Sequence, residues 1–344
     1  MKTLEDFAQE HRLRYETLKM AGADAGPRTA YRILDHESHS KIIMDCLPDS
    51  HPDSHPGHKI ANFVKIGKYL NSIGLITPEI YDVDAQNGFL LVEDFGDTHF
   101  KTAAQEGDIN LFYRKATDVL LHMKTQANNY EHLELPNYYN SHVHDFRKFV
   151  VEWYLPVIKQ AKAPATITQE YFQVWQDIEK ELPPCPQGFC FIDYHFENLM
   201  YLPERKGMDQ TGIIDYQGAM VGPAMYDLTN LLEDARVDVP ADVQNEMLKL
   251  YTEGMNTEDK EIFESWYRIV ATQFHCRVIG QFIMLAEKLN KTQYLEHIPR
   301  LERYIKNALS HPILKPLNLF FKEQGLTFDG SKPIELDNIS KYVE

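Results

Sequence analysis

The stretch FIDYHFENLM, residues 191–200, and the stretch TGIIDYQGAM, residues 211–220, decide how this chain reads. Each carries an aspartate at the end of a short apolar run, Asp193 after residues 188–192 and Asp215 after residues 212–214. Asn198 stands five positions after the first aspartate. Residues 188–192 have the length and composition of a strand, and 193–198 read as a polar loop at its end. Residues 199–202 and 212–215 read as a hairpin whose polar tip is 203–211. That geometry brings Asp193, Asn198 and Asp215 to one rim. A carboxylate there can accept the proton of an attacking hydroxyl, while a carboxamide oxygen and a second carboxylate can hold a hard divalent cation. Together they suit phosphoryl transfer, where catalysis is mostly positioning and charge neutralisation. Any one of the three alone reads as a turn cap or a strand end. The three in this order, each after an apolar run, read as chemistry.

Outward from this segment, the 344 residues suffice for two domains or one large bilobed unit. Hydrophobic residues make up 43%, as in ordinary globular proteins. The formal net charge of -16 and the lack of a long basic run exclude an extended nucleic-acid surface. The same acidity suits a cationic substrate or a merely solvated surface. No stretch is expected to reach the length of a membrane-spanning helix, and the charged start does not resemble a signal peptide, so a cytoplasmic location without membrane attachment is expected. Residues 1–19 read instead as an amphipathic helix with Leu4, Phe7, Ala8 and Leu13 near one face. The four cysteines do not make a zinc-binding pattern, and Cys190 reads as core.

The first third is strand-rich. Residues 29–38 and 40–48 read as a hairpin, 49–59 as a Pro- and His-rich loop, and 60–75 as a helix stopped by Gly74. His51, His55 and His58 in that loop are read as solvated. Two strands follow around a turn with Asn87 and Gly88, the second ending at Glu93, Asp94, Phe95 and Gly96. Helices are expected at 109–127, 143–161, 168–181, 225–236, 241–254, 258–289 and 294–309, interrupted by the strands around 188–216. There is no internal repeat. The expected class is α+β, with residues 1–95 as a small β-rich lobe and residues 96–344 as a large, mostly helical one.

With these residues in view, the chain resembles the aminoglycoside phosphotransferase and choline kinase-like superfamily, relatives of the protein kinases. The usual H-x-D-x-H-x-x-N stands here as residues 191–198, with Phe191 in place of the first histidine and His195 as the second. The usual I-D-[FW] stands as Ile214, Asp215 and Tyr216. The resemblance implies a protein-kinase-like bilobed fold with ATP and magnesium between the lobes. Asp193 is then the general base, and Asn198 and Asp215 hold the metal. Residues 222–228 match the family's G-P-x-x-Y-D-L helix, whose Asp227 buttresses the catalytic loop and caps the helix. Asp234, one heptad on, either faces the substrate or is a salt-bridged helix position. His195 and Gln217 either contact the substrate or hold the loop.

More closely, residues 23–33, 42–48, 88–97, 152–155 and 214–236 are similar to the bacterial anomeric kinases acting on N-acetylmuramate and N-acetylglucosamine in cell-wall recycling. That implies an amino-sugar acceptor. An amine-bearing acceptor such as an aminoglycoside, choline or homoserine is the alternative, and a pseudokinase-like binding module is a second. On the nucleotide side, the backbone of residues 24–29, including Thr29, can approach phosphates, with Arg28 and Arg32 supplying charge. A plain turn with solvated arginines fits as well. The strand lysine such folds use is replaced by Met44 or Asp45, and Lys41 lies further back. The backbone near Glu93 and Phe95 is expected to bind adenine. The oligomeric state is not readable from the sequence.

Overall fold

The computed structural model describes residues 2–23, 28–54, 59–126, 129–332, 334 and 339–343. In chain order the elements are α1 (Leu4–Glu10), β1 (Leu13–Ala23), β2 (Thr29–Asp35), β3 (Ser40–Asp45), α2 (Ile60–Ser72), β4 (Ile80–Asp84), β5 (Phe89–Glu93), α3 (Phe100–Glu106) and α4 (Ile109–Gln126). Then come α5 (His142–Asp145), α6 (Leu155–Lys159), α7 (Ile167–Glu179), β6 (Gln187–Cys190), β7 (Leu199–Tyr201), β8 (Thr211–Ile213) and β9 (Met220–Pro223). The chain ends with α8 (Tyr226–Leu232), α9 (Ala241–Tyr251), α10 (Thr257–Leu289), α11 (Ile298–Ala308), α12 (Lys315–Glu323) and α13 (Ile339–Val343). It divides into two compact units, Met1–Leu135 with Phe191–Met220, and Pro136–Cys190 with Val221–Glu344. A β-sheet region precedes a helical one, the expected α+β class. The connection at 93–97 lies inside the first unit.

In the first unit an antiparallel sheet runs β1-β2-β3-β5-β4. The period of two divides its residues between two faces. Ile33, Ile43, Phe89 and Leu91 pack with Phe7 and Ala8 of α1 in one core. Ala30, Arg32, Ile42, Met44 and Val92 line a cleft. The β2–β3 hairpin forms as expected, with Ala30 opposite Met44 and Arg32 opposite Ile42.

The first nineteen residues are not one helix. Thr3 and Asp6 form a reciprocal capping box that starts α1, and Arg12 at φ 56° ends it. Leu13, read from sequence on the helix face, instead begins β1 opposite Asp35. Strand pairing with β2 overrides the weak helical period beyond residue 10.

The second unit is helical. The continuous helix expected over 143–161 is broken into α5, a 3-10 turn, a π-turn at Val150–Tyr154, and α6. Pro156 near the start of α6 has no N–H to continue the preceding helical ladder. The stretch expected as a helix to residue 236 ends at Leu232. The helix α10 is long and apolar enough, by length and composition, to cross a membrane, which corrects the expectation that no stretch is. Its apolar window is 78% buried inside the protein, as in a core helix. Tyr154, Trp175 and Cys190 are core residues at 1%, 0% and 1% exposure.

Candidate active site

The loop after β6 is held from beneath by aromatic burial. The Tyr194 hydroxyl donates to the Ala116 carbonyl at 2.8 Å. The Phe196 ring packs 4.3 Å from Tyr113 and 5.7 Å from Phe100. Phe191, which departs from the family's histidine, is buried and stacks on Tyr194 at 5.1 Å. Ile192 carries φ 75°, a left-handed conformation costly for a β-branched residue, immediately before Asp193. Asp193 emerges with a half-exposed carboxylate, 54% accessible.

His195 is buried, and its Nδ1 accepts the Glu197 N–H at 3.3 Å. The proton of a neutral ring then sits on Nε2, which lies 3.1 Å from Asp193 Oδ1. The Asn198 side-chain amide donates to the Asp193 carbonyl at 2.9 Å and lies 3.3 Å from His195 Nε2. Its N–H donates to the His195 carbonyl at 2.9 Å. The bond to the Asp193 carbonyl fixes the NH2 end of the carboxamide against the loop. The hairpin of β7 and β8 pairs Leu199 with Ile213, and Ile214 N–H donates to Asn198 O at 3.1 Å, so Asn198 and Asp215 are brought together.

Asp215 sits at φ 57°. Its Oδ1 accepts from Arg28 Nη2 and from Gln217 Nε2, the latter at 2.5 Å. Gln217 is buried, and its Oε1 has no hydrogen-bond partner among the described residues. Tyr216 stacks on Phe63 of α2 at 4.8 Å. Asp215 and Asn198 line one cleft, and each carries a hard oxygen donor, which fits a small divalent cation.

That cleft has a volume of about 310 Å³. Of the residues expected at a nucleotide site, Arg28, Arg32, Glu93, Phe95, Asn198 and Asp215 line it; Asp193, Thr29, His195 and Gln217 do not. Met44 lines it too, so on the face where a strand lysine would project the chain places a thioether. Lys41 faces away, its ammonium 3.9 Å above the Tyr81 ring. Asp45 also belongs to the opposite face, and burial pushes its carboxyl up.

Arg32 is neither a solvated arginine nor an unpaired one. It binds Asp94 through Nε at 2.5 Å and Nη2 at 2.9 Å, and Asp97 through Nη1 at 2.7 Å. Burial pushes the Asp94 carboxyl up, but Arg32, the Ser40 hydroxyl and the Gly96 N–H outweigh it and hold the group below its ordinary range. Sequence reasoning gave 93–95 a backbone role only and missed Asp94; the run of acids at 93, 94 and 97 was the available signal. The Glu93 N–H is engaged by Glu79 O at 2.8 Å, and its carboxylate by Arg205 at 2.6 Å. Residues 24–27 of the expected phosphate-covering loop, and His55 and His58, lie outside the described residues.

The two remaining expected residues belong to the second unit. Asp227 is buried in the first turn of α8, whose N-cap is Met225, so Asp227 does not occupy the cap position. Asp234 lies past the end of α8 and not on its face. It accepts from the Arg236 N–H at 2.8 Å and side chain at 3.2 Å.

The Phosphotransferase enzyme family matches residues 17–261. The N-acetylmuramate/N-acetylglucosamine kinase of Caulobacter vibrioides is 28% identical over 327 residues, covering 87% of this chain and 90% of that one. The protein of the same name from Neisseria meningitidis is 26% identical over 85% of each chain. Among solved structures, choline kinase LicA from Streptococcus pneumoniae superposes with a TM-score of 0.58 at 15% identity, over 89% of this chain and 97% of its own. The amicoumacin kinase hAmiN, in complex with AMP-PNP, Ca2+ and Ami, gives 0.57 at 14% identity, over 91% and 95%. At these identities the shared property is the fold, the kinase-like α+β arrangement expected from residues 191–216.

Proposed function

The chain belongs to the Phosphotransferase enzyme family, and from that premise we propose that it transfers the γ-phosphoryl group of ATP to the anomeric hydroxyl of N-acetylmuramate or N-acetylglucosamine. The observation that carries the acceptor is similarity along 84–87% of the chain to N-acetylmuramate/N-acetylglucosamine kinases. The choline alternative needs an aromatic cage. Tyr154 and Trp175, large aromatics of the helical unit, are core.

In this reading residues 1–95 form the nucleotide lobe and the rest of the chain supplies catalytic and acceptor groups. Asp193 takes the proton of the anomeric hydroxyl as its oxygen attacks the γ-phosphorus, and ADP leaves. The anomeric hydroxyl is the most acidic on a hexose, so one carboxylate suffices as base. His195, bound to Asp193 Oδ1 from a buried position, fixes the direction of that carboxylate. Asn198 and Asp215 would hold magnesium, which supplies neutralisation of charge on the phosphates. Arg28 contributes a fixed positive charge to the same cleft. The backbone at Phe95 meets the adenine. Arg32 ties β2 to the 93–97 connection through Asp94 and Asp97. Gln217 orients Asp215.

The test is a panel of amino sugars and amino alcohols with ATP and magnesium, following ADP release. Phosphorus NMR of the product should show a phosphate coupled to H1. Phosphate at the 6-position overturns the anomeric assignment, and turnover of an amino alcohol without any sugar overturns the acceptor class.

A further inference from the structure

Resting on the kinase reading above, we propose that Arg205, at the tip of the β7–β8 hairpin, is a positioning residue for the nucleotide: it clamps the 93–95 connection so that its backbone is held in place for the adenine. The tip is closed by the Leu202 N–H donating to Gln210 O at 2.9 Å, the Arg205 N–H to Leu202 O at 3.1 Å and the Gln210 side-chain amide to Pro203 O at 3.3 Å. Lys115 of α4 holds Gln210 Oε1 at 2.7 Å. From this fixed tip Arg205 Nη2 donates to Glu93 Oε1 at 2.6 Å, 112 residues away in sequence. The guanidinium also lies over the Phe95 ring, 5.4 Å from its centre. Gly212 of β8 meets the same ring: a Cβ there would stand 2.7 Å from Phe95 Cε2, so this close approach requires glycine. Glu93 and Phe95 both line the cleft.

Asp94, between these two residues, is tied to Arg32 of β2. The side chains of three consecutive residues are therefore committed to protein partners, Asp94 to the sheet and Glu93 and Phe95 to the hairpin, and the connection meets a base with its backbone. The other polar groups that face Glu93 leave its bond to Arg205 intact. The Glu79 N–H takes the second carboxylate oxygen, Oε2, at 3.2 Å. Lys41, opposite Glu93 in the strand register, keeps its ammonium over the Tyr81 ring. Among the described residues Glu93 is the one ion-pair partner of Arg205. Removing the guanidinium releases the Glu93 carboxylate and uncovers the Phe95 ring in one step, which loosens the hairpin side of the connection while the Arg32 side stands. An ion pair and a cation–π contact in part-exposed surroundings are each modest, so the loss falls on nucleotide affinity and not on the fold. Arg205 itself does not line the cleft and acts through Glu93 and Phe95.

The experiment combines calorimetric binding of ADP with magnesium and steady-state kinetics with N-acetylglucosamine. Arg205→Met keeps the length of the stem and removes the charge. It should weaken ADP binding and raise KM for ATP by about five- to ten-fold, with KM for the sugar, and kcat at saturating ATP, little changed. Arg205→Lys, which keeps the charge, should recover part of the affinity. Glu93→Gln should cost less nucleotide affinity in the Arg205→Met background than in the native chain, because the pair is already broken there. Should Arg205→Met not fold, as judged by circular dichroism, Arg205→Gln carries the same expectations. Native ADP affinity in a folded uncharged variant overturns the proposal and leaves the kinase reading standing. So does a fall in kcat at saturating ATP with KM for ATP unmoved, which would make the hairpin tip a support for the catalytic groups and not for the base. Failure of the native protein to phosphorylate any sugar overturns the acceptor assignment without touching the ADP result, and failure of the native protein to bind ADP overturns the kinase reading itself.

Discussion

Asp193 and Asp215 sit 22 positions apart on one hairpin-bearing segment and carry different work, which their surroundings explain. Asp193 is exposed and touched by His195, whereas Asp215 is held by a cation and an amide. Asp193→Asn keeps size and loses the proton acceptor. Its kcat should fall by about 10²–10⁴-fold with ATP affinity by calorimetry little changed; near-native turnover would remove Asp193 from the base role. The local motif was readable because loop chemistry is encoded in consecutive residues. Partners far along the chain were not: Arg32 meets Asp94 and Asp97 at separations of 62 and 65 residues, and nothing in the hairpin sequence announces either. Asp94 has a depressed carboxyl in the folded state, so its ion pair stabilises the fold fully above the ordinary value of 3.8 and loses that contribution as pH falls through the lower, folded value. Asp94→Asn should therefore cost about 1.5–3 kcal/mol near neutrality, the range for losing hydrogen bonds to a charged group in a part-buried pair. The difference from native should narrow in urea melts taken below 3.8. A gap that stays constant into that acid range would show that the carboxylate charge contributes nothing.

At the scale of elements, long periodic helices were legible and short or competing ones were not. The expected helices at 109–127, 168–181 and 258–289 correspond to α4, α7 and α10 within two residues. In residues 13–23 a helical and an alternating pattern overlap, and only the pairing partner β2 decides between them. The contact between α2 and the Asp215 turn is of the same non-local kind. Gly67 is buried in the middle of α2, where alanine would raise helix propensity by about 1 kcal/mol. A Cβ there would lie 3.0 Å from Tyr216 Cζ and closer still to its hydroxyl oxygen, and Tyr216 is fully buried. Overpacking of this kind costs about 1–3 kcal/mol, and relief by moving Tyr216 displaces Asp215 beside it. Gly67→Ala should lower both the melting temperature and turnover, and Tyr216→Phe in the same chain should restore part of each by removing the hydroxyl. A Gly67→Ala protein more stable than native would mean that the helix does not approach this closely.

For the whole molecule, composition indicated class and charge but not how the chain is shared between units. The first unit recruits residues 191–220 through backbone pairing that no local pattern encodes: Ile213 N–H donates to Ile76 O, and Tyr201 N–H to Thr98 O, each at 2.8 Å. This recruitment places the hairpin of Asn198 and Asp215 beside the sheet that forms the cleft. Net charge acts at the same scale. With 51 acidic against 35 Lys and Arg side chains, the protein at -16 repels anions on approach. The two proposed acceptors differ in this respect, because N-acetylmuramate carries a carboxylate and N-acetylglucosamine is neutral. At low ionic strength repulsion extends over tens of ångströms, whereas near 0.15 M salt the screening length is about 8 Å. Added potassium chloride should therefore raise kcat/KM for the acid relative to the neutral sugar, with ATP and magnesium held saturating so that their own screening cancels from the ratio. Steering by net charge acts on association, so the gain should lie in kcat/KM and leave kcat for the two sugars in constant proportion. A ratio that falls with salt would instead mean that the acid meets local positive charge strong enough to outweigh the field of the whole protein.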